Sequence, residues 1–179
     1  MANASQSDPQ RQQAGAETQA SFQIEKIYAK DVSLEIPNSP QVFIEQVQPQ
    51  LEVQIATEIS NFAESLYEVT VSATVTAKAG ERTIFLAEAV QAGIFSLRNV
   101  PQQELDPLLG IGCPTIVFPY LRETISDLIT RGGFPPVLLS PVSFEALYMQ
   151  RTQQQQGTQQ QQGGAPRAQG GAPQIEVAR

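Results

Sequence analysis

Two carboxylates, Glu123 and Asp127, are the best candidates for acid–base chemistry in this chain. They are one helical turn apart, so they could share a face of a helix and act as an acid and a base. Arg122 and Arg131 are close by in the sequence, a pattern that also fits a solvated polar face. We favour the polar face, because perturbed carboxylates often belong to structural ion pairs instead of catalytic sites.

Cys113 is the one cysteine of the chain, and it lies between Gly112 and Pro114 near a predicted helix start. A helix N-terminus can lower the pKa of a thiol, but the chain contains no histidine to serve as its base. We therefore interpret Cys113 as a small buried residue. The Gly110–x–Gly112 spacing lacks the Lys-Ser/Thr of a phosphate loop. We expect no nucleotide, metal or other cofactor, and we do not expect an enzyme.

Composition divides the 179 residues into three parts. Residues 1–21 and 152–179 consist mostly of small and polar residues, and we predict two disordered tails. Residues 22–151 have the size of one domain. The segment Phe22 to Gln150 carries 15 of the 18 carboxylates but 7 of the 11 basic residues. Such an acidic domain is expected to attract a basic partner and to bind neither nucleic acid nor an anionic membrane. The simpler alternative, which charge alone favours, is that the net negative charge keeps the protein soluble.

The N-terminal residues lack the basic and apolar regions of a signal peptide. No apolar run approaches the roughly 20 residues that are needed to span a bilayer. A single cysteine excludes an intrachain disulfide, which fits a reducing compartment. These features predict a soluble cytoplasmic protein.

Four segments show the apolar–polar alternation that is typical of β-strands. They fall at residues 31–36, 51–56, 67–77 and 82–95. A slip in the alternation predicts a bulge near Lys26, and Gly80 predicts a hairpin turn between the third and fourth strands. The fourth strand is apolar on both faces, one of which carries Ala87, Ala89 and Gln91. We expect a second subunit to bury one of these faces.

Helical periodicity follows the strands. One apolar stripe consists of Leu121, Ile125, Leu128 and Ile129. Pro119 must kink this helix or begin a new one, and Gly132-Gly133 ends it. A short second helix is predicted after Pro141, with Phe144, Leu147 and Tyr148 on its apolar side. Strands followed by helices favour an α+β fold, a four-stranded antiparallel sheet with two C-terminal helices on one face.

A proline-bracketed segment joins the first two strands and is unusually apolar. A groove could be lined by Val42, Phe43, Val47, Tyr120, Phe144 and Tyr148. Such a groove could accept apolar side chains of an extended ligand. The alternative is that some of these side chains simply fill the core.

The domain resembles the SecB family of export chaperones. The resemblance is carried, in family order, by the strings FQIEKIYAKDVSLEIPNSP, YEVTVSATVTA, FLAEAVQAGIFS, GIGCPTIVFPYLRETISDLITRGGFPP and LSPVSFEALYMQR. Together they cover nearly all of residues 22–151. The resemblance implies an ATP-independent cytoplasmic chaperone that binds unfolded preproteins and delivers them to SecA, and that assembles as a homotetramer, a dimer of dimers.

The resemblance also implies three sets of site residues. The positions linked to SecA binding match Asp31, Glu35, Leu86 and Glu88. The substrate-groove positions match the six residues named above. The tetramer-interface positions match Ala87, Ala89 and Gln91, together with the helix that contains Pro119, Leu121 and Ile125. The alternative is a SecB-like general holdase or toxin–antitoxin chaperone that is not coupled to SecA.

Overall fold

A computed structural model describes residues 19–45 and 47–162. Its centre is a four-stranded antiparallel sheet in the spatial order β1-β4-β3-β2. The strands are β1 (Ser21–Glu35), β2 (Gln50–Ala63), β3 (Leu66–Ala79) and β4 (Arg82–Arg98). The predicted antiparallel sheet is confirmed, and each strand is longer than its clearest stretch of alternation. β1 begins at Ser21, one residue inside the predicted N-terminal tail, and residues 1–18 lie outside the described part.

Local irregularities of the sheet follow the sequence. The register of β1 against β4 shifts between Ile24 and Lys26, where the bulge was predicted, and again between Ala29 and Asp31. Gly80 turns the β3–β4 hairpin with a φ of +61°, a conformation that a residue without a Cβ adopts at little cost. The turn at Gly80 is therefore a direct consequence of its residue type.

A helix covers one face of the sheet and leaves the other face open. Residues paired directly across antiparallel strands point to the same face, so Ala73, Ala89 and Val32 share one face through their pairings. This is the inner face, and a helix packs on it. Thr74, Glu88 and Ser33 belong to the other side, which we call the open face.

The helix on the inner face belongs to a longer helical path than predicted. The path contains α1 (Gln102–Pro107), a π turn (Leu108–Gly112) and α2 (Cys113–Arg131). α1 was not predicted, because Gln102–Pro107 has too few apolar residues to show a periodicity. Pro119 lies inside α2 without ending it. The carbonyl that a proline leaves without a donor belongs to Thr115, and both residues lie on the exposed side of the helix.

The tetramer-interface set lies inside the subunit. Ala87, Ala89, Gln91, Leu121 and Ile125 are all buried between the sheet and α2. Gln91 accepts a hydrogen bond from the Thr124 hydroxyl of α2 at 3.3 Å. Within the subunit, α2 thus covers the face of β4 that the sequence pattern assigned to a second subunit.

α3 (Phe144–Gln162) is longer than the short helix that was predicted. It continues through residues 152–162, which the composition assigned to a disordered tail. Glutamine is a good helix former, so a helix that is anchored at its start can continue through a Gln-rich segment. The predicted tail from residue 163 onward lies outside the described residues.

Candidate functional site

An apolar groove opens between the segment that joins β1 to β2 and the segment that follows α2. Its cavity has a volume of about 340 Å³. Val42, Phe43 and Val47 form the first wall, and Phe134 to Val137 form the second. Ile84 and Phe85 of β4 form the floor. The groove therefore lies at one end of the sheet, where two irregular segments face each other.

Aromatic rings fix the two walls of the groove. The ring centroids of Phe43 and Phe134 are 5.3 Å apart, and those of Phe134 and Phe85 are 4.8 Å apart. A Cβ at Gly133 would lie 3.2 Å from the Phe43 ring, so the glycine permits the ring to approach the backbone closely. Phe43 is nevertheless 48% exposed. It remains free to contact a bound chain.

The other three predicted groove residues do not line this cavity. Tyr120 is half-exposed on α2. Phe144 is buried, and its ring packs edge-on against that of Phe118, with the ring centroids 5.6 Å apart. The Tyr148 ring lies against Gly110 of the π turn, where an added Cβ would come within 2.5 Å of it. Phe144 and Tyr148 attach α3 to the helical path, which was the alternative interpretation of these residues.

Sequence reasoning missed several groove residues. They are Glu45, Pro49, Leu51, Ile84, Phe85, Gly133, Phe134, Pro135, Pro136 and Val137. The FPPV string after Gly133 was a usable signal, because prolines hold a chain extended and leave its neighbours free to line a surface. Ile84 gave no such signal. The register of β3 against β4 shifts beside it, between Ala77 and Lys78.

Exposed apolar side chains continue from the groove along β2. Leu51, Val53 and Ile59 pair with buried residues of β3 and so belong to the inner face. Each is between 42% and 48% exposed, because α2 packs over β3 and β4 and leaves the edge strand uncovered. Arg151 of α3 reaches this strand and donates a hydrogen bond to the Thr57 carbonyl at 2.9 Å. The groove and β2 thus form a continuous apolar surface.

The open face brings together the four residues that were predicted to bind SecA. Glu35 pairs directly with Leu86, and Glu88 pairs with Ser33. Asp31 pairs with Val90, so all four side chains lie on one face of two adjacent strands. Glu88 accepts a hydrogen bond from the Thr74 hydroxyl at 3.1 Å. The result is an acidic patch in which Leu86 and Glu35 form one end and Asp31 the other.

A charged cluster lies farther along the open face. Glu68 of β3 accepts a hydrogen bond from the Tyr28 hydroxyl and another from Lys30 Nζ at 2.6 Å. These donors, with Lys30 the larger influence, hold the pKa of Glu68 below its usual range. Hydrogen bonding to Glu68 also raises the pKa of Tyr28. The cluster keeps a carboxylate ionised without leaving it free for proton transfer.

The residues considered for catalysis have ordinary surroundings. Asp127 accepts a hydrogen bond from Arg131 Nε at 2.6 Å, and both side chains are largely exposed. Glu123 shares a shallow cavity of about 380 Å³ with Asp127 and Arg122. Burial raises the pKa of Cys113 to about 12, which disfavours a nucleophilic thiolate. The polar face on α2 and the buried cysteine are thus the interpretations that the structure supports.

Two further features concern membranes and metals. Within residues 19–45 and 47–162, no helix is long and apolar enough to cross a membrane. The same residues contain no cluster of three or more potential metal-ligating side chains.

Comparison with known proteins shows which family the chain belongs to. The family model described as "Preprotein translocase subunit SecB" matches residues 15–155. The chain belongs to the SecB family. It is 57% identical over 139 residues to the protein-export protein SecB of Chromobacterium violaceum, an alignment that covers 78% of this chain and 93% of that protein. It is 54% identical over 146 residues to the SecB of Methylobacillus flagellatus, with 82% and 93% covered.

A solved structure supports the fold. A SecB-like chaperone of Mycobacterium tuberculosis, in complex with a peptide from an antitoxin, superposes with a TM-score of 0.56 at 17% identity. The superposition covers 68% of this chain and 90% of that one. At this level of identity, the SecB likeness of the structure concerns the fold alone.

Proposed function

We propose that this SecB-family protein is an ATP-independent cytoplasmic chaperone that binds unfolded preproteins through its apolar groove and delivers them to SecA. The observation that carries the proposal is the groove, because it presents a ready apolar surface to solvent beside an uncovered edge strand. Unfolded chains expose the apolar segments that such a surface accepts. Family membership makes an export-bound preprotein the expected client.

The geometry favours an extended client. A cavity of about 340 Å³ is at the lower end of the roughly 300–1,000 Å³ of small-ligand pockets, so it accepts individual side chains. β2 is paired on one side only, which leaves backbone groups free to bond an extended chain. A client could therefore place its apolar residues in the groove and continue along β2 past Leu51 and Val53.

The open face is the proposed SecA surface. Its predicted contacts are Asp31, Glu35, Leu86 and Glu88, whose positions on adjacent strands support a single docking patch. An acidic patch steers a basic partner by long-range attraction, and salt weakens this attraction. Clients and SecA would then use different faces of the sheet. A loaded chaperone could bind SecA before it releases its client.

Assembly as a homotetramer, a dimer of dimers, is part of the proposal. It is supported by exposed apolar residues on β1, the edge strand away from β2, where Phe22, Ile24 and Val32 belong to the inner face. A long edge strand with exposed apolar residues tends to aggregate unless another chain covers it. Several grooves in one assembly would raise the affinity for one client through effective concentration.

Native mass spectrometry of the protein, alone and with a reduced, unfolded preprotein, tests the proposal directly. We expect a four-chain species that takes up the unfolded preprotein and ignores its folded form. A single chain that binds neither form would contradict both the assembly and the chaperone activity.

A second candidate is a SecB-like holdase or toxin–antitoxin chaperone without a link to SecA. A solved SecB-like chaperone with this fold is bound to a peptide from an antitoxin, so the fold is compatible with this alternative. Titration of the protein with SecA separates the two candidates. Binding that weakens as salt rises supports the export role, and an absence of binding supports the alternative.

A further inference from the structure

The wall of the groove that faces Phe134 is tied to β4 at two places. At the start of the segment, Asn38 Nδ2 donates a hydrogen bond to the Thr83 carbonyl at 2.8 Å. Beyond Phe43, Arg82 donates from both terminal nitrogens to the two carboxylate oxygens of Glu45, with Nη1 to Oε1 at 3.0 Å. Both ties reach the first two residues of β4, so they fix this wall relative to the floor of the groove.

The ion pair between Glu45 and Arg82 has the stronger geometry of the two ties. A guanidinium that donates twice to one carboxylate fixes direction as well as distance. Glu45 also lines the groove between Phe43 and Val47, so a shift of its carboxylate shifts that wall. The hydrogen bonds from Arg82 hold the pKa of Glu45 below its usual range.

We infer that the Glu45–Arg82 ion pair holds the wall of the groove in its binding position and thereby sets the affinity for apolar client side chains. The inference rests on the proposed function and adds to it a positioning role for two charged residues. A groove held in shape before binding loses less conformational entropy when a client enters. The pair acts on an uncharged client through the position of Phe43 and Val47, with no charge on the client required.

A double-mutant cycle with an uncharged probe tests the inference. The probe is a fluorescent, end-capped peptide of aromatic, aliphatic and uncharged polar residues, and binding is measured by anisotropy. We expect Glu45→Arg and Arg82→Glu each to weaken binding by about two- to fivefold, the range expected for an exposed ion pair. The charge-swapped double variant should recover to within about twofold of the wild-type affinity, because it restores the pair in reverse.

Salt gives a second readout that a general loss of folding would not produce. When salt rises from about 0.05 M to about 0.5 M, the pair is screened in the wild type and in the charge-swapped variant, so their affinities should move toward those of the single variants. Asp127→Arg is the matched control, since it makes the same change in charge and breaks an exposed ion pair on α2. This control should bind the probe like the wild type. Circular dichroism confirms the fold of each variant.

The other possible results of these measurements contradict either the inference or the proposed function. Single variants that bind the uncharged peptide as the wild type does, or a double variant as weak as the singles, overturn the inference. An effect confined to a Lys-containing version of the peptide also overturns it, because Glu45 would then act by attracting client charge. A wild-type protein that binds no peptide at all contradicts the proposed function itself.

Discussion

Phe43 is the side chain that best separates client binding from folding. Its ring lines the groove and is 48% exposed, so the core depends on it little. We expect Phe43→Ala to weaken capture of an unfolded client by about fivefold, since burial of a large apolar side chain contributes about 1.5–3 kcal/mol and part of this ring is already covered. Retardation of refolding of a model client, measured at several chaperone concentrations, gives the affinity.

Tyr148→Ala is the matched control for Phe43. The Tyr148 ring packs on Gly110, outside the groove, so its loss should lower the melting temperature and leave the affinity of the remaining folded protein unchanged. If Phe43→Ala captures the client as well as the wild type does, the groove is not the binding surface. If Tyr148→Ala is the weaker binder, the client surface extends to α3.

Glu88 tests the open face in the same way. It lies beside Leu86 and within reach of Asp31 and Glu35, and Thr74 orients its carboxylate. We expect Glu88→Lys to lower the affinity for SecA by about tenfold at low salt and by less at high salt, because it reverses one charge in an acidic patch. Isothermal titration calorimetry at two salt concentrations measures the change.

Glu123→Lys provides the comparison for Glu88. It makes the same charge reversal on α2, away from the open face, and should change the affinity for SecA little. Equal heats from Glu88→Lys and the wild type would remove Glu88 from the SecA site. Equal losses in both variants would indicate a dependence on net charge, without a defined patch.

At the scale of elements, Gly93 permits α2 to approach β4. A Cβ at this position would lie 2.6 Å from the Phe95 ring and 2.9 Å from Val117 of α2. Both neighbours are fully buried and have no room to move. We expect Gly93→Ala to destabilise the domain by about 1–3 kcal/mol through overpacking, measured by urea unfolding.

Gly112→Ala is the corresponding control in the helical path. Its Cβ would meet Leu108 Cδ1 at 3.0 Å, the far end of a flexible side chain. Because glycine in a helix costs about 1 kcal/mol relative to alanine, this variant should be neutral or slightly more stable. A Gly93→Ala protein as stable as Gly112→Ala would show that α2 packs more loosely on the sheet than described.

The same elements show how far the sequence could be interpreted. Alternation in residues 67–77 and the stripe from Leu121 to Ile129 predicted β3 and α2, because each pattern has the period of its element. α1 and the end of α3 were not predicted, because their mostly polar residues show no apolar periodicity that would indicate a buried face. Ala87 and Ala89 lie under α2 of the same chain, although their pattern suggested cover by a second subunit, since a pattern shows that a face is buried but not which element buries it.

Prediction of the site was limited by the same physics. The four open-face residues came from the family resemblance, and the pairing of adjacent strands explains why they share one face. Three of the groove-lining residues were predicted and ten were not, because most of them come from irregular segments whose path depends on tertiary contacts. The bidentate tie between Glu45 and Arg82 spans 37 residues and follows no local periodicity. Contacts of this kind become visible only in the folded chain.

At the scale of the whole molecule, the two edges of the sheet have different proposed partners. β2 borders the groove, and its exposed Leu51 and Val53 continue the groove wall, so clients are its proposed partner. β1 lies at the opposite edge and is the proposed contact between subunits. An edge that is used for assembly is no longer free to bind clients, so the assignment of the edges decides how many grooves remain open.

A pair of matched substitutions separates the two edges. Ile24 and Ile59 are both on the inner face, one on each edge strand, and they are 47% and 42% exposed. Ile24→Lys should shift the assembly toward smaller species, because a charge in a contact between subunits is costly to desolvate. Ile59→Lys should leave the assembly intact and weaken client capture by several-fold. Sedimentation velocity and the refolding assay, run on both variants, measure the two effects, and exchanged phenotypes would reverse the assignment of the edges.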